Sequence, residues 1–331
     1  MSILVTGCAG FTGYNVCKRL LKEGNRIIGV DNLNDDYDVS IKKGRISELK
    51  IFKKFDFIKL DILNDGLPSL LRKEKIDYII HLAAKEIYYN FKEDSNNRYS
   101  RFLETNVTGT SKIFELAHKF NVKKFVYVSA YSVYGKTRST TLDEKVTNLK
   151  PISPHGASKL AAEEVIHFMH NLYGVPSVIL RMSVVYGPNS GPSTSIPEMI
   201  DSLRRNGRVN MYSDNIVRDY IYIDDVVEYI ISSLKLRGKD QTINISSGDS
   251  YSIKEVAKEI ADVLGIEKEI KYVQDRKSFD RLLVKSLSIS NKRAKKLFNY
   301  SPEVSLKEGL SLTVNWYLNN LDVLSKSSRG F

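Results

Sequence analysis

The residues with the clearest chemical meaning form a glycine-spaced loop near the start of the chain. Glycines recur at every third position in Thr6-Gly7-Cys8-Ala9-Gly10-Phe11-Thr12-Gly13. Small residues at this spacing allow a pyrophosphate to approach the backbone, where the positively polarised N-terminus of the next helix would stabilise its charge. An apolar run precedes the loop and a helical pattern follows it, so the segment is predicted to be a dinucleotide-binding turn. The predicted cofactor contacts in this turn are Gly7, Gly10, Phe11, Thr12 and Gly13.

An acidic residue at the end of the second apolar run indicates which dinucleotide binds. Asp31 follows the loop by about 20 residues, the usual separation between a glycine-rich turn and the residue that binds the adenosine ribose. A carboxylate there accepts hydrogen bonds from the ribose 2′-hydroxyl and repels a 2′-phosphate, so NAD is predicted rather than NADP. Asn32 is assigned to the same contact. Asp61 and Ile62, after the third run, fit an edge of the adenine, although a loop carboxylate without a ligand is the alternative for Asp61.

The elements that must position these residues alternate along the first half of the chain. Short runs rich in Val, Ile, Phe and Tyr are apolar at consecutive positions, as strands covered on both faces require. Segments with helical periodicity separate them. This alternation predicts an α/β fold, a doubly wound parallel sheet (Rossmann) with a smaller C-terminal α/β substrate lobe. The predicted strands are residues 2–6, 26–30, 55–60, 77–82, 124–129 and 176–181, and the main predicted helices are residues 14–23, 101–120 and 156–173.

The regular alternation of strand and helix patterns ends after Arg181, and this change divides the chain. A segment rich in Gly, Pro and Ser, residues 187–192, leads into mixed helices and short strands. The prediction is an NAD-binding Rossmann domain over residues 1–181, a mainly substrate-binding lobe over residues 182–324 and a disordered tail at 325–331.

Charge and composition restrict the class of protein. The 331 residues are 42% hydrophobic, yet no run approaches the ~18 apolar residues of a membrane span. The net charge of +11 comes from scattered side chains, which would steer an anionic ligand inward. The densest basic stretch, residues 42–59, is predicted to be a solvated face. With no nucleic-acid motif, no metal-ligand pattern and two cysteines, the sequence predicts no nucleic acid, membrane or metal partner and a reducing, cytoplasmic location.

Several short motifs further along the chain point to the same class of protein as the glycine-spaced loop. They are His81-Leu82-Ala83-Ala84, Asn106-Val107-Thr108-Gly109-Thr110, Val133-Tyr134-Gly135, Tyr186-Gly187-Pro188, Arg218-Asp219-Tyr220 and Asn315-Trp316-Tyr317. With these motifs, nearly the whole chain resembles the extended short-chain dehydrogenase/reductase family, in its nucleotide-sugar epimerase and dehydratase branch. Asp31-Asn32-Leu33-Asn34-Asp35 with Tyr37-Asp38-Val39-Ser40 is similar to the UDP-glucuronate 4-epimerase subgroup. By contrast, Asp275-Arg276 with Asp280-Arg281 is similar to sugar 4,6-dehydratases.

The resemblance implies an NAD-dependent enzyme that acts on a nucleotide sugar through a transient 4-keto sugar. In this family a tyrosine takes the hydroxyl proton, and a lysine, matched here by Lys159, lowers the pKa of that tyrosine and holds the nicotinamide ribose. Arg218 and Arg276 match a pyrophosphate clamp, for which ion pairs with nearby aspartates are the alternative. The family also forms homodimers through its two long helices. Its cofactor contacts fall on Leu82, Ala83, Ala84, Asn106, Ser129 and Lys159.

Three active-centre positions depart from the family pattern. His155 stands where the family has its catalytic tyrosine, Ala130 where it has the Ser or Thr relay, and Val184 where it has a sugar-facing polar residue. An imidazole, with an ordinary pKa of about 6.5, can act as a base near neutrality. It is shorter than a phenol, so a hydrogen bond of ~2.6–3.2 Å to the sugar would need a bridging water. Either His155 is the base, or it fills the space of the tyrosine without catalysing.

Neighbouring side chains offer further candidates. Tyr131 could supply a phenol from a new direction or form an aromatic wall against the sugar. Dehydratases of this family carry an acidic pair at the positions of Tyr131 and Ser132, and a serine protonates a leaving hydroxyl poorly, so dehydration is disfavoured. Lys85 and Glu86 fall in the sugar-facing region, where Glu86 is either a replacement acid or base or half of a surface ion pair.

The sequence therefore predicts an NAD-dependent 4-epimerase acting on a UDP-hexose or UDP-hexuronate, with an atypical active centre. A nucleotide-sugar 4,6-dehydratase or decarboxylase is the alternative within the same class. A catalytically inactive protein that binds NAD and a nucleotide sugar is the alternative from another class.

Overall fold

The computed structural model describes residues 1–86, 99–136, 141–192, 194–211, 216–238, 240–266, 270–274 and 288–325. The strands in these ranges are β1 (Ser2–Thr6), β2 (Arg26–Asp31), β3 (Phe55–Lys59), β4 (Tyr78–His81), β5 (Lys124–Ala130), β6 (Thr141–Leu142), β7 (Ser177–Met182), β8 (Val184–Tyr186), β9 (Arg208–Met211), β10 (Val217–Tyr222), β11 (Gln241–Ile245), β12 (Ser250–Ser252), β13 (Lys271–Gln274) and β14 (Ser288–Ile289). The α-helices there are α1 (Phe11–Lys22), α2 (Val39–Leu49), α3 (Leu67–Leu70), α4 (Ser100–Leu103), α5 (Thr110–Lys119), α6 (Pro154–Tyr173), α7 (Ser195–Asn206), α8 (Ile223–Ser233), α9 (Ile253–Leu264), α10 (Lys292–Phe298), α11 (Leu306–Leu318) and α12 (Leu321–Ser325).

Seven parallel strands form the main sheet, in the order β3-β2-β1-β4-β5-β7-β11. The direction in which strands are added reverses between β1 and β4, and ligands of such sheets bind in the crevice beyond the carboxyl ends at that point. The pairing of Thr6 with Val30 on one side and with His81 on the other brings three strand ends to this crevice. The predicted doubly wound fold is confirmed.

Apolar residues at consecutive strand positions explain why this sheet is covered on both faces. In β1, Ile3 and Val5 pack into one buried cluster, whereas Leu4 between them packs into another on the opposite face. Because successive side chains of a strand point to opposite faces, a strand in the middle of a two-sided core needs apolar residues throughout. Ile79 and Ile80 of β4 divide in the same way.

The six predicted strands and three predicted helices are all present, with ends shifted by a few residues. Two features were not predicted. The long helix at residues 101–120 is interrupted by a π-helical segment, Glu104–Gly109, between α4 and α5. In addition, β11 returns from the C-terminal half to pair with β7, so residues 241–245 belong to the main sheet rather than to a separate lobe.

The C-terminal half otherwise forms a smaller unit. Its mixed sheet has the order β12-β10-β8, and a parallel pair joins β13 to β9. In the part of the chain that the structure describes, no helix is both long and apolar enough to cross a membrane.

Candidate active site

The glycine-spaced loop lies at the switch point of the sheet and touches the loop after β4. Gly7 has a left-handed φ of 71°, and its N–H donates to Val30 O at 2.8 Å. A Cβ on Gly7 would lie 2.7 Å from Ala83 N, and one on Gly13 would lie 2.1 Å from Gly7 O. No side chain fits at either position, so the loop can close against its neighbours only with glycine there.

The start of α1 fits a dinucleotide pyrophosphate. Its N-cap, Gly10, supplies no side-chain hydrogen bond, so the first N–H groups of this helix are available to an anion. Asp31 braces the loop, since its Oδ2 accepts from Ala9 N at 3.1 Å and its Oδ1 from Leu33 N at 2.8 Å. Each carboxylate oxygen keeps a second lone pair, which a ribose hydroxyl can use. The residues present therefore fit NAD, with Phe11 and Thr12 in the first turn of the helix.

The predicted adenine contacts lie beside this ribose position. Asn32 Nδ2 donates to Asp61 Oδ2 at 2.8 Å, which ties the end of β2 to the loop after β3. Asp61 also accepts from Leu63 N at 2.9 Å. Ile62 is buried and contacts the place where a Cβ on Gly109 would lie. The structure brings Asn32 and Asp61 together, and their contact with adenine stays a prediction.

Substituting Gly13 with alanine is expected to weaken NAD binding and to cost about 1–3 kcal/mol of stability, because the added methyl would overlap a backbone oxygen that cannot move freely. Gly44→Ala in α2 is the matched control, since nothing lies within 4 Å of a Cβ there. That control should gain about 0.5–1 kcal/mol from helix propensity. Urea unfolding and an NAD titration by protein fluorescence measure both effects. Equal stability and NAD affinity in the two variants would contradict this account of the loop.

Two threonines and a buried histidine hold the loop after β4 against the dinucleotide turn. Thr6 Oγ1 accepts from Leu82 N at 3.3 Å and from Ala83 N at 3.2 Å. His81 lies between Thr6 and Thr110, with Nδ1 2.6 Å and Nε2 2.9 Å from their hydroxyl oxygens. Burial lowers the pKa of His81 to about 3, so the ring stays neutral at physiological pH. The predicted contacts Leu82, Ala83 and Ala84 thus belong to a firmly held segment.

Asn106 fastens the continuation of that segment to α6. Its Oδ1 accepts from Lys85 N at 2.7 Å, while its Nδ2 donates to Lys85 O at 3.1 Å and to Ser158 Oγ at 2.9 Å. Asn106 lies in the π-helical segment, a form of backbone that occurs often at functional sites. Both of its amide hydrogens are used within the protein, so a role as a cofactor ligand remains a prediction.

The N-terminal turn of α6 positions two of the predicted catalytic residues. Ser153 caps the helix by accepting from Gly156 N at 3.1 Å, and Pro154 occupies its first position. His155 and Lys159 therefore lie one turn apart on the same face of a well-terminated helix. Both are buried, with 8% and 3% of their surface exposed.

Both ring nitrogens of His155 face a neighbour. Nδ1 lies 3.2 Å from Ser132 Oγ, in the 3₁₀ turn after β5. Nε2 lies 3.0 Å from Glu86 Oε2, although the angles do not meet those of a hydrogen bond and Nε2 has no other partner among the described residues. Partial desolvation acts to raise the pKa of Glu86, but His155 and Lys159 outweigh it and hold that pKa below its usual value.

Lys159 is held beneath the site by backbone and aromatic contacts. Its Nζ donates to Val128 O at 2.6 Å and lies 4.4 Å from the centre of the Tyr127 ring. Burial lowers the pKa of Lys159 to about 8, even though the carboxylates of Glu86 and Glu163 act to raise it. A lysine with this pKa is still mostly charged at pH 7, as orientation of a ribose hydroxyl requires.

A buried ion pair joins α6 to β7 of the main sheet. Arg181 Nη2 lies 2.7 Å from Glu163 Oε2, with only 7% and 1% of the two side chains exposed. Ser129 Oγ also donates to Glu163. Ser129, predicted as a cofactor contact, therefore donates its hydroxyl hydrogen to a side chain of α6. Its contact with NAD stays a prediction.

The predicted sugar-binding residues that the structure describes lie on several different elements. Lys85 pairs with Asp36, Val184 is half-buried at the start of β8, and Arg218 is buried on β10. Arg218 Nη1 donates to Val217 O at 2.8 Å, while the neighbouring Asp219 accepts hydrogen bonds from Ser183, Ser247 and Gly248. Tyr131 begins the 3₁₀ turn and packs on the small cluster around Tyr134. Arg276 lies outside the described residues.

The basic stretch after β2 was wrongly predicted to be wholly solvated. Lys42 and Arg45 are 5% and 1% exposed. Arg45 donates to Ala9 O at 2.9 Å, in the dinucleotide turn, and to Asn189 O at 2.6 Å, in the loop before α7. It also donates to Tyr37 OH at 2.9 Å. No pattern in the neighbouring sequence indicates these contacts, because Ala9 and Asn189 lie far from Arg45 along the chain.

Comparisons with known proteins agree with this geometry. Residues 3–246 match the NAD dependent epimerase/dehydratase family. A UDP-glucuronate 4-epimerase from Thermodesulfobacterium geofontis is 36% identical over 325 residues, which cover 97% of each chain. The human dTDP-D-glucose 4,6-dehydratase is 32% identical, over 96% of this chain and 90% of the relative. The crystal structure of a Bacillus cereus UDP-glucuronic acid 4-epimerase in complex with UDP-glucuronic acid and NAD superposes with a TM-score of 0.87 at 28% identity, over 97% of this chain and all of that one.

The chain belongs to the NAD dependent epimerase/dehydratase family. This confirms the predicted enzyme class and the predicted cofactor, NAD.

Proposed function

We propose that this protein is a UDP-sugar 4-epimerase, with a UDP-hexose or UDP-hexuronate as substrate, in which His155 takes the place of the family's catalytic tyrosine. The observation that carries the proposal is the placement of His155 and Lys159. They lie one turn apart on α6 and are buried, and His155 faces Glu86 of the loop after β4, the loop that also touches the turn that fits NAD. A base and a cation at this spacing serve proton removal from a sugar hydroxyl. The similarity to UDP-glucuronate 4-epimerases supports the choice of substrate.

Each part of the site has one task in this proposal. A bound NAD+ would supply the hydride acceptor for C4 of the sugar and, once reduced, the donor for its other face. Lys159 holds the nicotinamide ribose and keeps positive charge beside the base, while His155 takes the proton of the 4-hydroxyl and gives it back. Arg218 and Arg276 hold the diphosphate, and Tyr131 lines the sugar. The lobe at residues 182–324 closes the site over the sugar, with Val184 next to a hydroxyl that needs no polar partner.

A 4,6-dehydratase is the second candidate, because the human dTDP-D-glucose 4,6-dehydratase is 32% identical. Dehydration needs an acid that protonates the hydroxyl leaving C6. Ser132 lies 3.2 Å from His155 in place of such an acid. The epimerase therefore fits the side chains better.

The experiment that separates these reactions uses the purified protein with NAD+ and a panel of UDP-, dTDP- and GDP-sugars. The expected product is an isomer of unchanged mass, identified by NMR and mass spectrometry. Loss of water or carbon dioxide would instead establish a dehydratase or a decarboxylase. Binding without any product and without any nicotinamide absorbance change would establish a protein that binds but does not catalyse.

We also propose a homodimer formed through α6 and the helices beside it. Phe168 and Leu172 lie one turn apart on α6 and are 65% and 58% exposed, and Leu103 of α4 is 54% exposed. Large apolar side chains grouped on one helical face favour burial against a second copy. Phe168→Glu is expected to convert the dimer to a monomer in size-exclusion chromatography with light scattering. Ile51→Glu is the control, since Ile51 is 79% exposed away from these helices. A dimer that persists in Phe168→Glu, or a wild-type monomer, would refute this interface.

A further inference from the structure

We propose that Ser132, His155 and Glu86 form a proton relay, in which the Ser132 hydroxyl meets the substrate hydroxyl and Glu86 is a positioning residue that holds the imidazole. The proposal rests on the proposed function, because it names the groups that move the proton in that reaction. In this relay the Ser132 hydroxyl takes the place of the water that would otherwise have to bridge His155 and the sugar hydroxyl.

The described neighbours of the imidazole cover both ring nitrogens. Ser132 Oγ is 3.2 Å from Nδ1 within hydrogen-bonding geometry, and Glu86 Oε2 lies 3.0 Å from Nε2 as a nearby charge rather than a hydrogen-bond partner. The ring itself is buried, whereas Ser132 is partly exposed and half of the Glu86 side chain is exposed. Among the described residues, Ser132 therefore offers a proton a hydrogen-bonded path from the crevice to His155.

Both neighbours of the imidazole are anchored by backbone contacts. A Cβ on Gly156 would lie 2.5 Å from Ser132 O, so the 3₁₀ turn that carries Ser132 is packed directly against the first turn of α6. On the other side, Asn106 binds both the N–H and the carbonyl of Lys85, the residue before Glu86. This pre-organisation keeps the three groups in register without a substrate.

The charges around the ring decide which nitrogen accepts the proton. Among the described residues, the charged groups near this position are Glu86, from the loop after β4, and Lys159, on the same helix as His155. The turn after β5 contributes the neutral Ser132. An ionised Glu86 favours the tautomer with the proton on Nε2, because a carboxylate only accepts. Nδ1 is then the acceptor, and it faces the Ser132 hydroxyl.

The proton transfer balances in the following way. The sugar 4-hydroxyl gives its proton to Ser132 Oγ as Ser132 gives its own to His155 Nδ1, so two O–H bonds are broken, one O–H bond is re-formed and one N–H bond is made. The oxidant for C4 of the sugar would be NAD, the cofactor of the family, which would accept the hydride when bound. The resulting imidazolium is stabilised by Glu86. The reverse transfer restores Ser132 and His155 when the sugar is reduced.

The pairing of Glu86 with His155 can be tested without substrate. The tautomer of the imidazole is read from the ring ¹⁵N–¹H correlations of the protein without added cofactor, and His155→Asn identifies the His155 signal among the five histidines. Glu86→Gln keeps the shape but removes the charge that favours a proton on Nε2, so the share of the Nε2-protonated tautomer of His155 is expected to fall. Glu115→Gln, an exposed site on α5, is the control and should leave the tautomer unchanged. The wild-type tautomer in Glu86→Gln overturns the proposal.

The role of Ser132 is tested by kinetics on the substrate that the sugar panel identifies. Ser132→Ala is expected to lower kcat by about 10–100-fold with little change in KM, and Ser132→Thr should restore most of the rate because it keeps a hydroxyl. Wild-type kcat in Ser132→Ala overturns the relay even if the enzyme is an epimerase. If no sugar is converted, the proposed function fails, and the tautomer measurement still decides whether Glu86 orients the ring of His155.

Discussion

Replacing His155 with phenylalanine is expected to lower kcat by about 10²–10⁴-fold, the usual contribution of a general base. Phenylalanine fills the buried space but can neither accept a proton nor hydrogen-bond to Ser132 or Glu86. NAD binding should be unchanged, because the described contacts of the dinucleotide turn involve β1, β2, α1, α2 and the loop after β4 rather than His155. Steady-state kinetics and an NAD titration measure the two quantities separately.

The matched control for this variant is His170→Phe on the same helix. His170 Nδ1 is 2.6 Å from Val175 O near the C-terminal end of α6, far along the helix from the site. Its substitution should change stability more than kcat. If His155→Phe retains the wild-type kcat, His155 is a space-filling residue and the base is another group, with Tyr131 the next to be tested.

The second large effect is expected on folding. Glu163→Leu should destabilise the protein by about 3–5 kcal/mol, because it leaves the Arg181 guanidinium buried without a counter-charge. It also removes the acceptor of the Ser129 hydroxyl. Urea unfolding measures the free energy directly, provided that the transition stays two-state.

Two further variants identify the cause of that loss. Glu164→Gln, at the adjacent exposed position of α6, keeps this surface polar and should cost less than about 0.5 kcal/mol. Glu163→Leu combined with Arg181→Leu should recover much of the stability, since replacing both members of a buried ion pair by apolar residues is often nearly neutral. A double variant that is as unstable as the sum of the single ones would show that packing, and not the unpaired charge, carries the effect.

The parts of the site that depend on local spacing were predictable from the sequence. Glycines at positions 7, 10 and 13 are needed because backbone atoms lie where side chains would be, and a strand with apolar residues on both faces must lie inside a two-sided sheet. Asp31 at the end of β2 follows from the same geometry, since the loop and the next parallel strand end at one edge.

Contacts between distant segments were not predictable in the same way. Arg45 is buried because three segments far apart in sequence supply its acceptors, and a charge pattern along one helix does not reveal them. The return of β11 to the main sheet depends on pairing with β7 over more than 60 residues. Likewise, Glu86 and His155 are about 70 residues apart in sequence, and Asn106 joins the loop after β4 to α6 beside them. The sequence around either residue does not indicate that they meet.

The most direct measurement of the central claim is proton NMR of UDP-glucuronate incubated in D₂O with the protein and NAD+. The account predicts signals of the 4-epimer, with protium retained at C4, because the hydrogen that leaves this carbon as hydride returns without exchanging with solvent. Three results would contradict the account. The spectrum could stay unchanged for this and every other UDP-hexose or UDP-hexuronate, the product could have lost water or carbon dioxide, or C4 could carry deuterium.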